Sequence, residues 1–129
     1  MQHASVLVIE RDADNRTMYA DFLRAQGFAC ITAQTGEQGL RLAPMVDVIV
    51  TAIRLGGALD GLELVRRLRQ QSATRDMPII VLTALAFEPN RRRALEAGCD
   101  AFLPKPCPPE QLAITIRRTL RGWRQPRAS

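Results

Sequence analysis

Short, almost unbroken apolar runs alternate along this chain with longer segments in which apolar residues recur every three or four positions. The runs are Ala4 to Ile9, Phe28 to Ala33, Val46 with Val48 to Val50, Ile79 to Thr83, and Ala101-Phe102-Leu103. Runs so short, β-branched and free of polar alternation suit parallel strands buried on both faces. The first periodic segment opens at Asp12 or Asp14, either of which can cap free N–H groups. It repeats Met18, Phe22 and Ala25 on one face and stops at Gly27. Thr35 with Gln38 three residues on is a capping-box pattern for a short second helix ending near Pro44.

From Asp60-Gly61 onward, Leu62, Leu64, Val65 and Leu68 form a helical stripe, with Arg66, Arg67 and Arg69 as ordinary surface on the other faces. Asp76-Met77-Pro78 leads into the fourth strand. Glu88-Pro89-Asn90 starts a fourth helix that runs through Ala97 to Gly98, with Arg91-Arg92-Arg93 solvated. A last helix, from about Pro108 to Arg121, buries Leu112, Ile116 and Leu120. Five strands alternating with five helices over short connections imply right-handed crossovers and a doubly wound α/β sheet. A dinucleotide or flavin site is disfavoured, because the first strand runs into Glu10-Arg11-Asp12 rather than a glycine-rich turn that would bring backbone amides against phosphate.

Length and composition narrow this further. A chain of 129 residues holds one domain with a single continuous core. Its longest apolar runs are too short to span a bilayer, and Met1-Gln-His-Ala lacks a signal-peptide basic region, so a soluble, cytoplasmic protein is expected. Cys30, Cys99 and Cys107 are an odd set without CxxC spacing, which argues against a disulfide framework and against zinc; Cys30 is expected in the core. The net charge of +5 is concentrated at one end. Residues 117–129 hold five of the 18 basic residues and no acid, leaving 13 basic against 13 acidic groups elsewhere. A basic C-terminal stripe and tail on a neutral body is the plain reading, and nucleic-acid binding through it the rival one.

In such sheets ligands and chemistry collect at the C-terminal strand ends. Here those ends bring together Glu10, Arg11, Ala52, Thr83 and Lys105. Lys105 is the only lysine, the other 17 of 18 basic residues being arginine, so a compact, flexible ammonium is kept at this one place. With VLVIERD, DVIVTAIRL, DGLEL, PIIVLTA and ALEAGCDAFLPKP in this spacing, the chain resembles, over essentially its whole length, the receiver domain of two-component response regulators. The resemblance implies a flavodoxin-like (βα)5 fold with a five-stranded parallel sheet in the order 2-1-3-4-5, residues 1–121 forming the receiver and 122–129 a basic tail.

What the resemblance implies about the site is partly contradicted by the residues present. In such receivers an aspartate ending strand three accepts a phosphoryl group from a kinase histidine; this chain has Ala52 there. Glu10 matches the first acid of the Mg²⁺-binding pair, whereas Arg11 replaces the second. Thr83 matches the hydroxyl that contacts the phosphoryl group, Phe102 the aromatic switch position without its phenolic OH, and Lys105 the lysine that pairs with phosphate. Alanine has no nucleophile, and Mg²⁺ needs hard oxygen ligands in near-octahedral array, so no catalytic residue and no metal site are expected, with Mg²⁺ bound weakly or not at all. Asp12 is better explained as the cap of the first helix than as a substitute ligand.

Lys105, having lost its nearest anion, is expected to pair with Glu10. The resemblance also implies a cis Lys105-Pro106 bond. Leu55-Gly56-Gly57-Ala58-Leu59 carries glycine where the family has proline and is one residue longer, so that loop is expected to be more mobile than usual. The expected role is a non-enzymatic signalling module acting without aspartyl phosphate. Its partners would be a histidine kinase, a phosphotransfer protein or an output domain, with homodimerisation through helix four, strand five and helix five as a further assembly. The alternative is an ordinary receiver carrying an introduced Ala52; Arg11 favours natural degeneracy, since a point mutant would keep the second acid.

Overall fold

The computed structural model describes residues 3–123. In chain order the elements are β1 (Ser5–Ile9), α1 (Ala13–Ala25), β2 (Ala29–Ala33), α2 (Gly36–Leu42) with a 3-10 turn (Ala43–Met45), β3 (Val48–Thr51), α3 (Gly61–Gln70), β4 (Ile79–Thr83), α4 (Glu88–Ala97), β5 (Ala101–Pro104) and α5 (Pro109–Trp123). The five strands form one parallel sheet in the order β2-β1-β3-β4-β5.

Alternate residues of the central strands feed two cores. Leu7, Ile9, Ile49 and Val81 pack with Leu62, Leu64, Val65 and Leu68 of α3 on one face. Val6, Val8, Val50 and Ile80 pack with Leu23 of α1 and Leu112 and Ile116 of α5 on the other. Full burial of each such Leu or Ile contributes about 1.5–3 kcal/mol, which is what holds the strand ends in register.

Local chemistry sets the helix starts. Asp12 caps α1, its Oδ2 accepting from the Asn15 N–H at 2.9 Å, which excludes Asp14 from that role. Thr35 accepts from the Gln38 N–H at 3.1 Å, but the returning Gln38 Oε1 accepts from the Gln34 N–H at 2.9 Å instead of from Thr35, one residue short of a full capping box. Asp60 caps α3 through the Glu63 N–H at 2.9 Å.

Four sequence expectations need correction. The buried face of α1 is Tyr19, Ala20 and Leu23, whereas Met18 is 39% exposed and Ala25 is exposed, because the helix turns its tyrosine toward the sheet. Strand β3 begins at Val48; Val46 is half-buried at the end of the 3-10 turn. Helix α5 runs two residues past the expected boundary at 121, and the rest of the expected tail, including Arg124 and Arg127, lies outside the described residues.

The fourth correction concerns Arg69, which is not ordinary surface: its side chain is only 16% exposed and pairs with Asp100 at 2.9 Å. Its guanidinium donates to the Gly98, Arg75 and Met77 carbonyls at 2.9, 3.0 and 2.6 Å, so it packs the end of α3 against the turns flanking β4 and β5. The long loop before α3 is bonded to the start of α2. Gly56 forms a parallel bridge with Thr35, its N–H donating to the Gln34 carbonyl at 3.3 Å, and the Ala58 N–H donates to Glu37 Oε2 at 3.2 Å. Gly57 adopts φ +80° directly against the Glu37 carboxylate.

Cys30 lies in the core as expected, and Cys99 and Cys107 are buried thiols as well. No described helix is long and apolar enough to cross a membrane.

Candidate functional site

The register of β1 against β3, with Ile9 opposite Thr51, sets Glu10 beside Ala52 where both strands end. The Ala52 N–H donates to the Ile9 carbonyl at 3.1 Å, so the alanine is fixed by backbone bonds at the floor of the recess and is only 7% exposed. The neighbouring Thr51 hydroxyl is turned inward, donating to the Ala52 carbonyl at 2.9 Å. The side chain at position 52 therefore offers a methyl group and no carboxylate.

Glu10 is buried, and both of its carboxylate oxygens are in use. Oε1 pairs with the Lys105 ammonium, and Oε2 accepts from the Asp12 N–H at 3.0 Å. The expected ion pair is thus present, and the Lys105-Pro106 bond is cis. Thr83 is also buried; its Oγ1 accepts from the Leu85 N–H at 3.0 Å and its carbonyl from the Lys105 N–H at 2.8 Å. Arg11 is exposed. Phe102 is half-buried and packs on the core beneath α3 and α4.

Two residues that the sequence did not single out complete the site. Arg16 spans the turn after β1, its guanidinium donating to the Glu10 carbonyl at 2.9 Å and the Arg11 carbonyl at 3.3 Å. Tyr19 donates its hydroxyl to the Cys107 carbonyl at 2.9 Å, pinning α1 to the loop that carries Lys105. Burial pushes the tyrosine up to about 12, helped by the nearby Cys107 and Glu10. Only the position of Tyr19 one residue past an apolar stripe hinted at its part. Beside Lys105, Asn15, Met18, Tyr19, Ala84, Pro106 and Cys107 line an open cleft of about 370 Å³.

These donors do not suit Mg²⁺. A hard dication asks for several free oxygen ligands, yet the one carboxylate is engaged twice, and among the described residues no three His, Cys, Asp or Glu side chains come together. Asp12 is occupied as a helix cap. On the basic stripe, Arg117 lies 5.3 Å from the Phe28 ring centroid and donates to Gln26 at 3.1 Å, so its guanidinium serves the packing of α5.

The response regulator receiver domain family matches residues 6–117. The phosphate regulon transcriptional regulatory protein PhoB of Pseudomonas aeruginosa is 34% identical over 119 residues, covering 91% of this chain and 52% of that protein. The transcriptional regulatory protein ResD of Bacillus subtilis is 31% identical over 118 residues, covering 90% and 48%. The chain thus spans about half the length of these curated relatives.

Among solved structures, the receiver domain of the sensor histidine kinase PA1611 from Pseudomonas aeruginosa PAO1, which holds a magnesium ion in its active-site cleft, superposes with a TM-score of 0.85. It is 31% identical, with 93% of this chain and 99% of that one covered. The chemotaxis protein CheY4 of Vibrio cholerae gives a TM-score of 0.85 at 28% identity, with 92% and 99% covered. With the sheet order, the strand-end pocket and these matches in agreement, the chain belongs to the response regulator receiver domain family of two-component signalling.

Proposed function

We propose that this chain is a pseudo-receiver: a receiver domain that works as a protein-interaction module in a two-component or phosphorelay pathway without being phosphorylated on aspartate. The observation that carries this reading is Ala52, buried at the end of β3 where an acceptor carboxylate would have to stand. A methyl group cannot attack a phosphoryl donor, and no neighbouring carboxylate takes its place, since Glu10 is held by Lys105 and Asp12 by the start of α1. On this reading the domain is not an enzyme, requires no Mg²⁺ and acts in the cytoplasm.

Its partners are then a histidine kinase, a phosphotransfer protein or an output domain. PhoB and ResD are transcriptional regulatory proteins and PA1611 is a sensor histidine kinase, so related domains serve at both ends of such pathways. The face built from α4, β5 and α5 is the proposed working surface, through which a homodimer is the further assembly. Phe87 before α4, Leu95 on α4 and Ile114 on α5 are 64%, 41% and 40% exposed, which supports contact there.

Incubation with acetyl phosphate and Mg²⁺ followed by intact-mass measurement tests the reading. The mass is expected to stay unchanged, and a single-phosphate adduct mapping to an acidic residue would overturn it.

A further inference from the structure

The poor fit to Mg²⁺ leaves open what now neutralises the one remaining pocket carboxylate. A buried carboxylate without a cation is strongly disfavoured. In this pocket the cation comes from the chain itself. Lys105 is anchored at both ends: its backbone N–H bonds the Thr83 carbonyl at the end of β4, and its ammonium bonds Glu10 at the end of β1. The side chains of the pair are only 17% and 8% exposed.

Further bonds radiate from these anchors. Thr83 fixes the first turn after β4 through Leu85, Glu10 fixes the turn after β1 through Asp12, and Tyr19 holds the loop after β5 through Cys107. Lys105 thus joins three loops at this edge of the sheet, the one after β1 through its ion pair with Glu10 and the one after β4 through its backbone bond to Thr83.

We propose that Lys105 is the built-in cation of this pocket: its ammonium stands against Glu10 in place of a divalent ion, and this pair, together with the backbone bond from Lys105 to Thr83, holds the loops after β1, β4 and β5 in one arrangement without metal or phosphoryl group. The inference rests on the reading of the chain as an unphosphorylated receiver and adds to it that the domain's state is fixed internally. A partner then reads one constant surface, since nothing at the pocket is left to switch it. Ala52 suits this arrangement, because a second carboxylate beside Glu10 would compete for the same ammonium.

Metal rescue is the test. The full chain and its Lys105→Met, Glu10→Gln and Glu10→Gln/Lys105→Met variants are melted with and without MgCl2 at constant ionic strength. Mg²⁺ is expected to leave the parent and the double variant unmoved. It should raise the midpoint of Lys105→Met by about 4 °C at roughly ten times its Kd, because only there does an unpaired Glu10 await a cation. An equal rise in the parent, or none in Lys105→Met, would overturn the proposal.

Should Lys105→Met not fold, Glu10→Gln decides by hydrogen exchange. Faster exchange at residues 83–88 and at the Lys105 amide, which bonds the Thr83 carbonyl, is expected, and unchanged exchange there overturns the proposal. Phosphorylation of the parent by acetyl phosphate is read by mass and tells separately against the pseudo-receiver reading.

Discussion

Gly61 stands so close to Ala52 that a β-carbon on the glycine would lie 1.9 Å from the alanine's carbonyl oxygen. The contact is made by the first residue of α3, whose N–H donates to the Ile53 carbonyl at 2.7 Å. Helix α3 is thereby seated directly on the end of β3, and Ala52 is held from behind as well as from β1. Because both sides of the contact are backbone, no rotamer change can relieve a clash there. Gly61→Ala is expected to lower stability by about 3 kcal/mol or more through overpacking, measured as a fall in the urea midpoint at unchanged slope.

The same backbone contact shows how much of this molecule could be read from the chain. DGLEL marked both the Asp60 cap and the start of α3, and the apolar runs located all five strands, because those signals are local. The pairing of Glu10 with Lys105 followed from charge balance once strand ends were aligned. The face of α1 was misread because Met18 and Tyr19 are both large and adjacent, and periodicity alone does not choose between stripes offset by one residue. The clasp between Glu37 and Ala58 was invisible, being a contact across 21 residues between the first turn of α2 and the loop before α3, made possible by the very glycines that suggested mobility. Arg16 likewise acts on carbonyls exposed by the shape of a turn, which no residue pattern announces.

Among the described residues, Tyr19 is the one side chain seen to tie α1 to the Lys105 loop by a buried hydrogen bond. Tyr19→Phe keeps the ring and leaves the Cys107 carbonyl without its donor. A cost of about 1–2 kcal/mol is expected in chemical denaturation. If the bond serves to hold the loop, exchange at the Lys105 amide should quicken in the same variant while the core strands stay protected.

The buried thiols give the fold an alkaline weakness. Burial raises Cys30 and Cys99 from 9.0 to about 11 each. Below pH 9 each thiol is protonated in both folded and unfolded chains, so this contribution to stability is complete. As pH rises from 9 through 11 the unfolded chain releases protons that the folded one retains, and stability falls by roughly 1.4 kcal/mol per pH unit for each thiol. Urea midpoints taken at pH 8, 9.5 and 10.5 are expected to decline, and Cys30→Ala should reduce that decline by roughly a third, since Cys99, Cys107 and Tyr19 are raised by burial as well and lose stability over the same range. At pH 8, iodoacetamide should label neither thiol until the chain unfolds.

Restoring the nucleophile is not expected to restore a working receiver. Ala52→Asp would place a carboxylate next to Glu10, since β1 and β3 pair through Ile9 and Thr51 just below. The new aspartate and Glu10 would share Lys105, and Mg²⁺ would have to displace that ammonium to gain two oxygens. Arg11 stands where the resemblance implies the second acid, and its exposure lets it swing outward, so its repulsion of the ion is softened but not abolished. A penalty of about tenfold in Mg²⁺ affinity remains, to which the missing carboxylate adds. Calorimetric titration of Ala52→Asp should therefore show weak Mg²⁺ binding and mass measurement slow phosphorylation by acetyl phosphate. Adding Arg11→Asp should improve both, by more than either change predicts alone, because the two residues would share one ion. Equal Mg²⁺ affinity in the single and double variants would instead make Arg11 a bystander and Ala52 an isolated change in a pocket otherwise able to bind metal.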